Sequence, residues 1–257
     1  MKITCFSKTD VGLKRTVNQD SIFCDYGSKT GIFIVADGMG GYSKGEIASG
    51  TVINSIKNWW TGLDRDTEKS SITDIASEFK NLIINVSDSI YRCFSREGLT
   101  GGTTVAALII WDNSVGILNV GDSRVYGVTN NIEQLSYDDI WDNLQTTQDN
   151  LDAEEILRHP NHGKLMSAVG VGEEPKINYQ IKRITGKESF LLCSDGIYKY
   201  CDFNILNKSM LMLNRVANLG KISNKIIESV ISNGAKDNYS LILVRCRKRL
   251  ISFNKGV

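Results

Sequence analysis

An α+β chain, with two sheets inside and helices outside, is the fold this sequence predicts, and three observations predict it. Short, nearly uninterrupted apolar runs recur at 32–36, 105–111 and 115–120, as buried strands require. Elsewhere the apolar residues return at helical spacing, as at Ala48, Val52, Ile56 and Trp60. Thirdly, apolar strands repeatedly end or begin at an aspartate: Asp37 in VADGMGG, Asp122 in VGDSR, Asp195 in CSDGIY and Asp237 in KDNYSLILV. A lone Asp-Gly after a strand is ordinarily only a turn. Its recurrence is what gives the pattern weight.

In chain order, residues 3–27 hold β-prone pieces around a polar centre, RTVNQD, and read as a hairpin or a pair of strands. Their connection carries Arg15, Asn18 and Asp20, which taken alone would be a surface ion pair. The strand at 32–36 ends at Asp37 and the flexible turn Gly38, Met39, Gly40, Gly41. Such a turn lets backbone groups come close to a small hard ion or a phosphate, because no side chain stands in the way. A helix follows over 46–63, with both Trp59 and Trp60 as core residues. Ser71 ahead of Asp74 predicts a helix cap, and Ile72, Ile75, Phe79, Leu82, Ile83, Val86 and Ile90 trace a long amphipathic helix in the same outer layer.

The period then changes. Strands at 105–111 and 115–120 are joined by Asp112 and Asn113, a two-residue hairpin turn, while Gly101, Gly102, Thr103 and Thr104 suit a backbone passing close to another element. Asp122 and Arg124 follow the second strand. Residues 136–165 are polar and irregular, which predicts a flap with helical turns near 153–158. It holds both histidines, His159 and His162, expected to be solvated. Strands at 179–184 and 189–193 are split by Thr185, Gly186 and Lys187; Asp195 and Gly196 follow the second. Two helices are expected after them, one through Leu206, Met210, Leu213 and Ala217 closed by Gly220, the other through Ile222, Ile226 and Val230 closed by Gly234. A terminal strand covers 239–246.

Composition bounds the function. The 257 residues, 41% hydrophobic, suffice for a full core, and no repeat or disordered linker divides them, so a single domain is expected over 1–250 with a basic tail at 251–257. Lys plus Arg number 30 against 29 for Asp plus Glu, which argues against nucleic acid or an anionic membrane as the main partner. The first residues lack the apolar run of a secretory signal and no later segment reaches a membrane span, so a cytoplasmic protein is expected. Cys5, Cys24, Cys93, Cys193, Cys201 and Cys246 are scattered without CxxC spacing and are expected to be reduced thiols, neither disulfides nor a zinc site.

If the aspartates at the strand ends face one cleft, their charges repel, and something cationic must sit between them. Oxygen-only ligands favour Mg²⁺ or Mn²⁺. Paired ions of this kind acidify a bridging water and clamp a phosphoryl oxygen, which is the chemistry of phosphoester hydrolysis.

RTVNQD, VADGMGG, TGGTT, VGDSR, SAVGVGEEP, CSDGIY and KDNYSLILV, in this order and spacing, resemble the metal-dependent protein phosphatase family, also called protein phosphatase type 2C, and most of all its bacterial single-domain branch. The resemblance runs from about Thr4 to Cys246. It implies a four-layer α/β/β/α sandwich of two antiparallel sheets with helices on both sides and a flap after the GDSR motif. It also implies Mn²⁺- or Mg²⁺-dependent hydrolysis of phosphoserine and phosphothreonine in proteins, by a hydroxide bridging two ions. Carried over residue by residue, Asp37 bridges the ions and Gly38 lends a carbonyl oxygen to one of them. Asp195 and Asp237 complete the first ion's ligands, and Asp20 stands near the second, directly or through water. Asp122, with Asp195 shared, holds a third and weaker ion. Arg15 clamps the phosphate, and Asn238 supports the ligands from behind. The implied partners are phosphorylated proteins and a serine/threonine kinase, with the chain a monomer.

Some animal members have a histidine, assigned as general acid, where this chain has Met39; bacterial relatives commonly have Met there. Methionine cannot donate a proton, so water must. The flap sequence SYDDIWDNLQTTQDN matches the family poorly, so substrate choice transfers least. Two other readings stay open: a catalytically silent module that keeps the fold, and a phosphatase of nucleotides or other small phosphoesters. No matched carboxylate position is missing, which speaks against the first.

Overall fold

The computed structural model describes residues 1–41, 44–143, 152–172 and 174–247; the expected tail at 251–257 and the centre of the flap lie outside them. In chain order the elements are β1 (Lys2–Asp10), β2 (Asp20–Tyr26), β3 (Thr30–Met39), α1 (Lys44–Gly62), α2 (Ile72–Arg96), β4 (Gly102–Thr103), β5 (Val105–Trp111), β6 (Ser114–Val120), β7 (Arg124–Val128), β8 (Ile132–Gln134), α3 (Ala153–Arg158), β9 (Asn178–Arg183), β10 (Lys187–Cys193), α4 (Asp195–Tyr198), α5 (Phe203–Met212), α6 (Leu219–Ser232) and β11 (Tyr239–Arg247).

Strand alternation sorts these into layers. Successive side chains of a strand point to opposite faces, so a strand apolar throughout must be covered on both. Ile32 and Ile34 of β3, with Val105, Ala107 and Ile109 of β5, pack against α1 and α2. Their neighbours Phe33, Val35, Ala106, Leu108 and Ile110 meet Phe190, Leu192, Ile242 and Val244 from the other sheet. That second sheet turns Leu191, Cys193, Leu241 and Leu243 towards Leu206, Met210, Ile222, Ile226 and Val230 of α5 and α6. Three apolar layers therefore separate four structural ones, the α/β/β/α sandwich expected. One sheet runs β1-β11-β10-β7-β8 and the other β2-β3-β5-β6-β9, with β4 beside β3. Every strand pairing is antiparallel.

Local signals in the sequence explain most boundaries. α2 opens on a reciprocal cap: the Asp74 N–H donates to Ser71 Oγ and the Ser71 N–H donates to Asp74 Oδ2 at 2.9 Å. The β5–β6 hairpin turns at Asp112, whose φ of 52° belongs to the left-handed region that aspartate tolerates better than most residues. The flap contains the expected helix, α3, started by a second reciprocal cap between Asp152 and Glu155. Trp60 is fully buried, as expected, with its indole N–H donated to Asp25 Oδ2 at 2.7 Å, while Trp59 is only partly covered. Cys93 is exposed, unlike the buried Cys193, Cys201 and Cys246.

One expectation is decided between its two alternatives, and another is corrected. β1 and β2 form no hairpin, because they belong to different sheets; the second alternative, separate strands, is the observed one. Their connection crosses from one sheet to the other and is held where it crosses: Asn238 Nδ2 donates to the carbonyls of Val11 at 2.9 Å and Val17 at 3.0 Å. Gly220 does not close a helix. α5 stops at Met212, and Gly220 lies in the first turn of α6, which Asn218 caps by accepting from the Lys221 N–H. A Cβ on it would stand 3.1 Å from the capping Asn218 Oδ1 and 3.2 Å from the Phe6 ring.

The topology brings the candidate strand ends together. The end of β3 lies beside the start of β5, the start of β5 beside the end of β6, and in the other sheet the end of β10 beside the start of β11. All four aspartate-bearing ends thus emerge on one side of the sandwich.

Phe79, fully buried on α2, packs its ring 5.5 Å from that of Trp59. Phe79→Ala is expected to lower the unfolding free energy by about 3–5 kcal/mol. Urea denaturation measures this, and a loss below about 1 kcal/mol would show that this layer carries little of the stability.

Candidate active site

Asp37, Gly38, Asp122, Asp195 and Asp237 line a single pocket of about 290 Å³, together with Arg15, Gln19, Met39, Thr104 and Lys199. A wider groove of about 550 Å³ between α5 and α6 gathers no such set of carboxylates. Asp20 is the exception among the sequence candidates. It is the strand partner of Asp37 and lies buried behind the pocket wall, without lining it.

Backbone contacts fix the floor. The Asp37 N–H donates to Thr104 Oγ1 at 3.0 Å, and its carbonyl accepts from the Thr104 N–H at 2.8 Å and Thr103 Oγ1 at 3.0 Å. The close passage expected of TGGTT is therefore against Asp37 itself. Gly38 is tighter still: a Cβ there would lie 2.2 Å from the Gly45 carbonyl oxygen and 2.5 Å from that of Gln19. No other residue fits without moving backbone.

The side chains are locked in pairs. Arg15 Nη2 lies 2.9 Å from Asp237 Oδ2, whose other oxygen accepts from the Asn238 N–H at 2.8 Å. Lys199 Nζ lies 2.7 Å from Asp195 Oδ2 and 3.7 Å from Asp122 Oδ2. Tyr198 donates its hydroxyl to Asp122 Oδ2 at 3.1 Å, and its ring carries the Arg124 guanidinium at 3.6 Å. Arg124 is in turn held by Asp138, Nη2 to Oδ2 at 2.7 Å. Asp20 Oδ2 accepts from the Ser194 and Ser240 hydroxyls, both at 2.7 Å, whereas its Oδ1 is buried with no hydrogen-bond partner. Asn238 also accepts the Gln19 N–H at 2.9 Å, so this one side chain braces the whole segment that carries Arg15.

Five carboxylates meet two cationic side chains here, and the titration of Asp37, Asp20 and Asp122 reflects it. Burial, then the charges of Asp20, Asp195 and Asp122, pushes the Asp37 carboxyl well above the usual range. Burial also pushes Asp20 up to about 6, against the pull of the Ser240 and Ser194 hydroxyls. Asp122 rises for the same reason, burial first and Asp195 second, with Lys199 and Tyr198 opposing. Lys199 is raised above its ordinary value: burial works against its charge, and Asp195 outweighs it.

These residues suit a hard divalent cation. The donor set is oxygen, with neither thiol nor imidazole among the lining residues described, and an orphaned carboxylate oxygen is buried behind it. Among the described residues no three ligating side chains already close on one point. What the carboxylates share is a pocket.

Sequence reading missed Tyr198, Lys199, Ser194, Ser240 and the pairing of Arg124 with Asp138. Lys199 had a signal, since it stands four residues after Asp195, the spacing of a helical ion pair. The serines had none. The histidines stay out of the pocket: His159 stacks on Trp141 at 4.0 Å, and His162 Nδ1 lies 2.8 Å from Asp142.

Residues 13–231 match the family model described as protein phosphatase 2C. The chain is 26% identical over 241 residues to the serine/threonine protein phosphatase PstP of Mycobacterium tuberculosis, an alignment covering 92% of this chain and 44% of that protein. It therefore spans less than half the length of that relative. It is 29% identical over 246 residues to the serine/threonine phosphatase stp of Listeria innocua, covering 92% and 93%. In fold it is similar to the crystal structure of the serine/threonine phosphatase Stp1 from Staphylococcus aureus, with a TM-score of 0.83 at 24% identity over 96% of each chain.

Divalent ions bind deprotonated carboxylates, so Mn²⁺ is expected to raise the thermal midpoint at pH 7.5. The rise should shrink as the pH falls through about 6, where Asp20 takes up its proton. Differential scanning fluorimetry at both pH values checks this. A shift of equal size at pH 5 would separate ion binding from these acids.

Proposed function

Because the chain belongs to the protein phosphatase 2C family, we propose that it hydrolyses phosphoserine and phosphothreonine in proteins, using two Mn²⁺ or Mg²⁺ ions. One observation carries the reading: carboxylates from four remote segments and the guanidinium of Arg15 line the same pocket. Its substrates are then the products of a serine/threonine kinase. In this reading the protein works in the cytoplasm as a monomer, and no helix among the described residues is long and apolar enough to cross a membrane.

Asp37, the Gly38 carbonyl, Asp195 and Asp237 would hold the ions, with Asp20 behind them. When bound, such ions neutralise the carboxylates, polarise phosphoryl oxygens and acidify a water for attack on phosphorus. The chain's own residues do the rest. Arg15 has a side chain about half exposed, at 53%, and its planar fork can grip two phosphate oxygens at once. To do so it must exchange Asp237 for the phosphate, and the segment carrying it is braced by Asn238 so that the exchange moves a side chain and not the loop. The Asp37 main chain, bonded on both sides to Thr104, keeps that carboxylate at one depth. Met39 lines the pocket and has no proton to give, so the leaving alkoxide takes its proton from water. No carboxylate position matched to the family is missing from the sequence, and the named relatives are serine/threonine phosphatases, which speaks against a silent module.

Cleavage of a phosphothreonine peptide should require Mn²⁺ or Mg²⁺. In Asp37→Asn and Asp195→Asn proteins that remain folded by circular dichroism, it should fall by more than about 100-fold, beyond what even outer partners of metal ligands command. Full activity in either variant would overturn the assignment. Arg15→Lys should lose about tenfold or more in kcat/KM, on the scale of one charge-assisted hydrogen bond. Faster turnover of a nucleotide than of the phosphopeptide would move the substrate class to small phosphoesters.

A further inference from the structure

We propose that Lys199 is a built-in cation: its ammonium stands between Asp122 and Asp195, where a third divalent ion was expected from the sequence, so that the site takes two ions and no third. The inference rests on the metal-dependent reading of the pocket and concerns a residue that the sequence reading left without a role.

The geometry is specific. Nζ is in direct contact with Asp195 Oδ2 at 2.7 Å and stands 3.7 Å from Asp122 Oδ2. These are the two carboxylates that a third ion would share. An ion bonded to either oxygen at ~2.1 Å would lie within about 6 Å of the ammonium, close enough for the two like charges to repel. Two cations would then compete for one pair of acids, and the one that is covalently attached does not dilute away.

The lysine is also positioned, not merely near. It follows Asp195 by four residues at the C-terminal cap of α4, and its N–H donates to the Asp195 carbonyl at 2.9 Å, so both ends of the ion pair belong to one helical turn. On the other side, Tyr198 donates to Asp122 Oδ2 while its ring rests on Arg124, which Asp138 holds. Asp122 is thus supplied with a hydrogen-bond donor and a nearby positive charge by neighbouring residues of one short element. Part of its demand for a counter-charge is therefore met before any ion arrives. The Lys199 side chain is 47% exposed, so replacing it removes charge without opening the core.

The test counts ions. Titrating the full-length protein with Mn²⁺, and following free Mn²⁺ by electron paramagnetic resonance, should give two bound ions for the wild type. Lys199→Asn should gain a third and weaker ion, and adding Asp122→Asn to it should return the count to two. Lys199→Met, which keeps the length and loses the charge, serves as the second variant, with thermal unfolding as the control for folding. Three ions in the wild type, the third lost in Asp122→Asn alone, would overturn the inference and leave the phosphatase reading standing. So would a count that stays at two in a folded Lys199→Asn or Lys199→Met protein. No bound Mn²⁺ in the wild type would overturn the metal-dependent reading, and this inference with it.

Discussion

Repulsion between carboxylates is the constraint on which this structure turns. Asp37, Asp122, Asp195 and Asp237 face one pocket and Asp20 lies buried behind it, and burial together with neighbouring acids raises the proton affinity of Asp37, Asp20 and Asp122. A chain free to relax would spread them. This one is not free, because each aspartate sits at the end of a strand whose register is fixed by core side chains on both faces. The apolar layers therefore hold the site's charges together, and backbone bonds such as those between Asp37 and Thr104 remove the remaining slack.

The same accounting explains the cationic side chains. Arg15 pairs with Asp237 from a remote segment, whereas Lys199 pairs with Asp195 on the same short helix and also stands near Asp122. Arg15 arrives on a crossing segment pinned by Asn238, and Lys199 on the single turn of α4. One is placed to turn towards a phosphate. The other has its acid on the same turn of helix and less freedom to leave.

Most of the architecture was legible because apolar runs, helical periods and caps such as Ser71 with Asp74 are local signals. The site was legible for a different reason: the ordered motifs place Asp37, Asp122, Asp195, Asp237 and Arg15, and the structure gathers all of them around one pocket. What could not be read was contact between remote segments. Nothing in the sequence couples Ser194 and Ser240 to Asp20, and nothing near Asn18 announces that β1 and β2 part company into separate sheets. Gly220 misled because a glycine in the first turn of a helix looks the same as one that ends a helix. The spacing of Lys199 from Asp195, that of a helical ion pair, was legible in the sequence, but its approach to Asp122 on a remote segment was not.

Asp37 and Asp122 hang from one sheet, Asp195 and Asp237 from the other. The pocket is consequently a seam, and its width is the offset between two slabs. Phe33, Leu108 and Ile110 interlock with Phe190, Leu192 and Ile242 to stop those slabs from shearing. A change of greasy volume in that interlayer would thus retune the seam at a distance, altering what the acids can grip while every polar atom kept its identity.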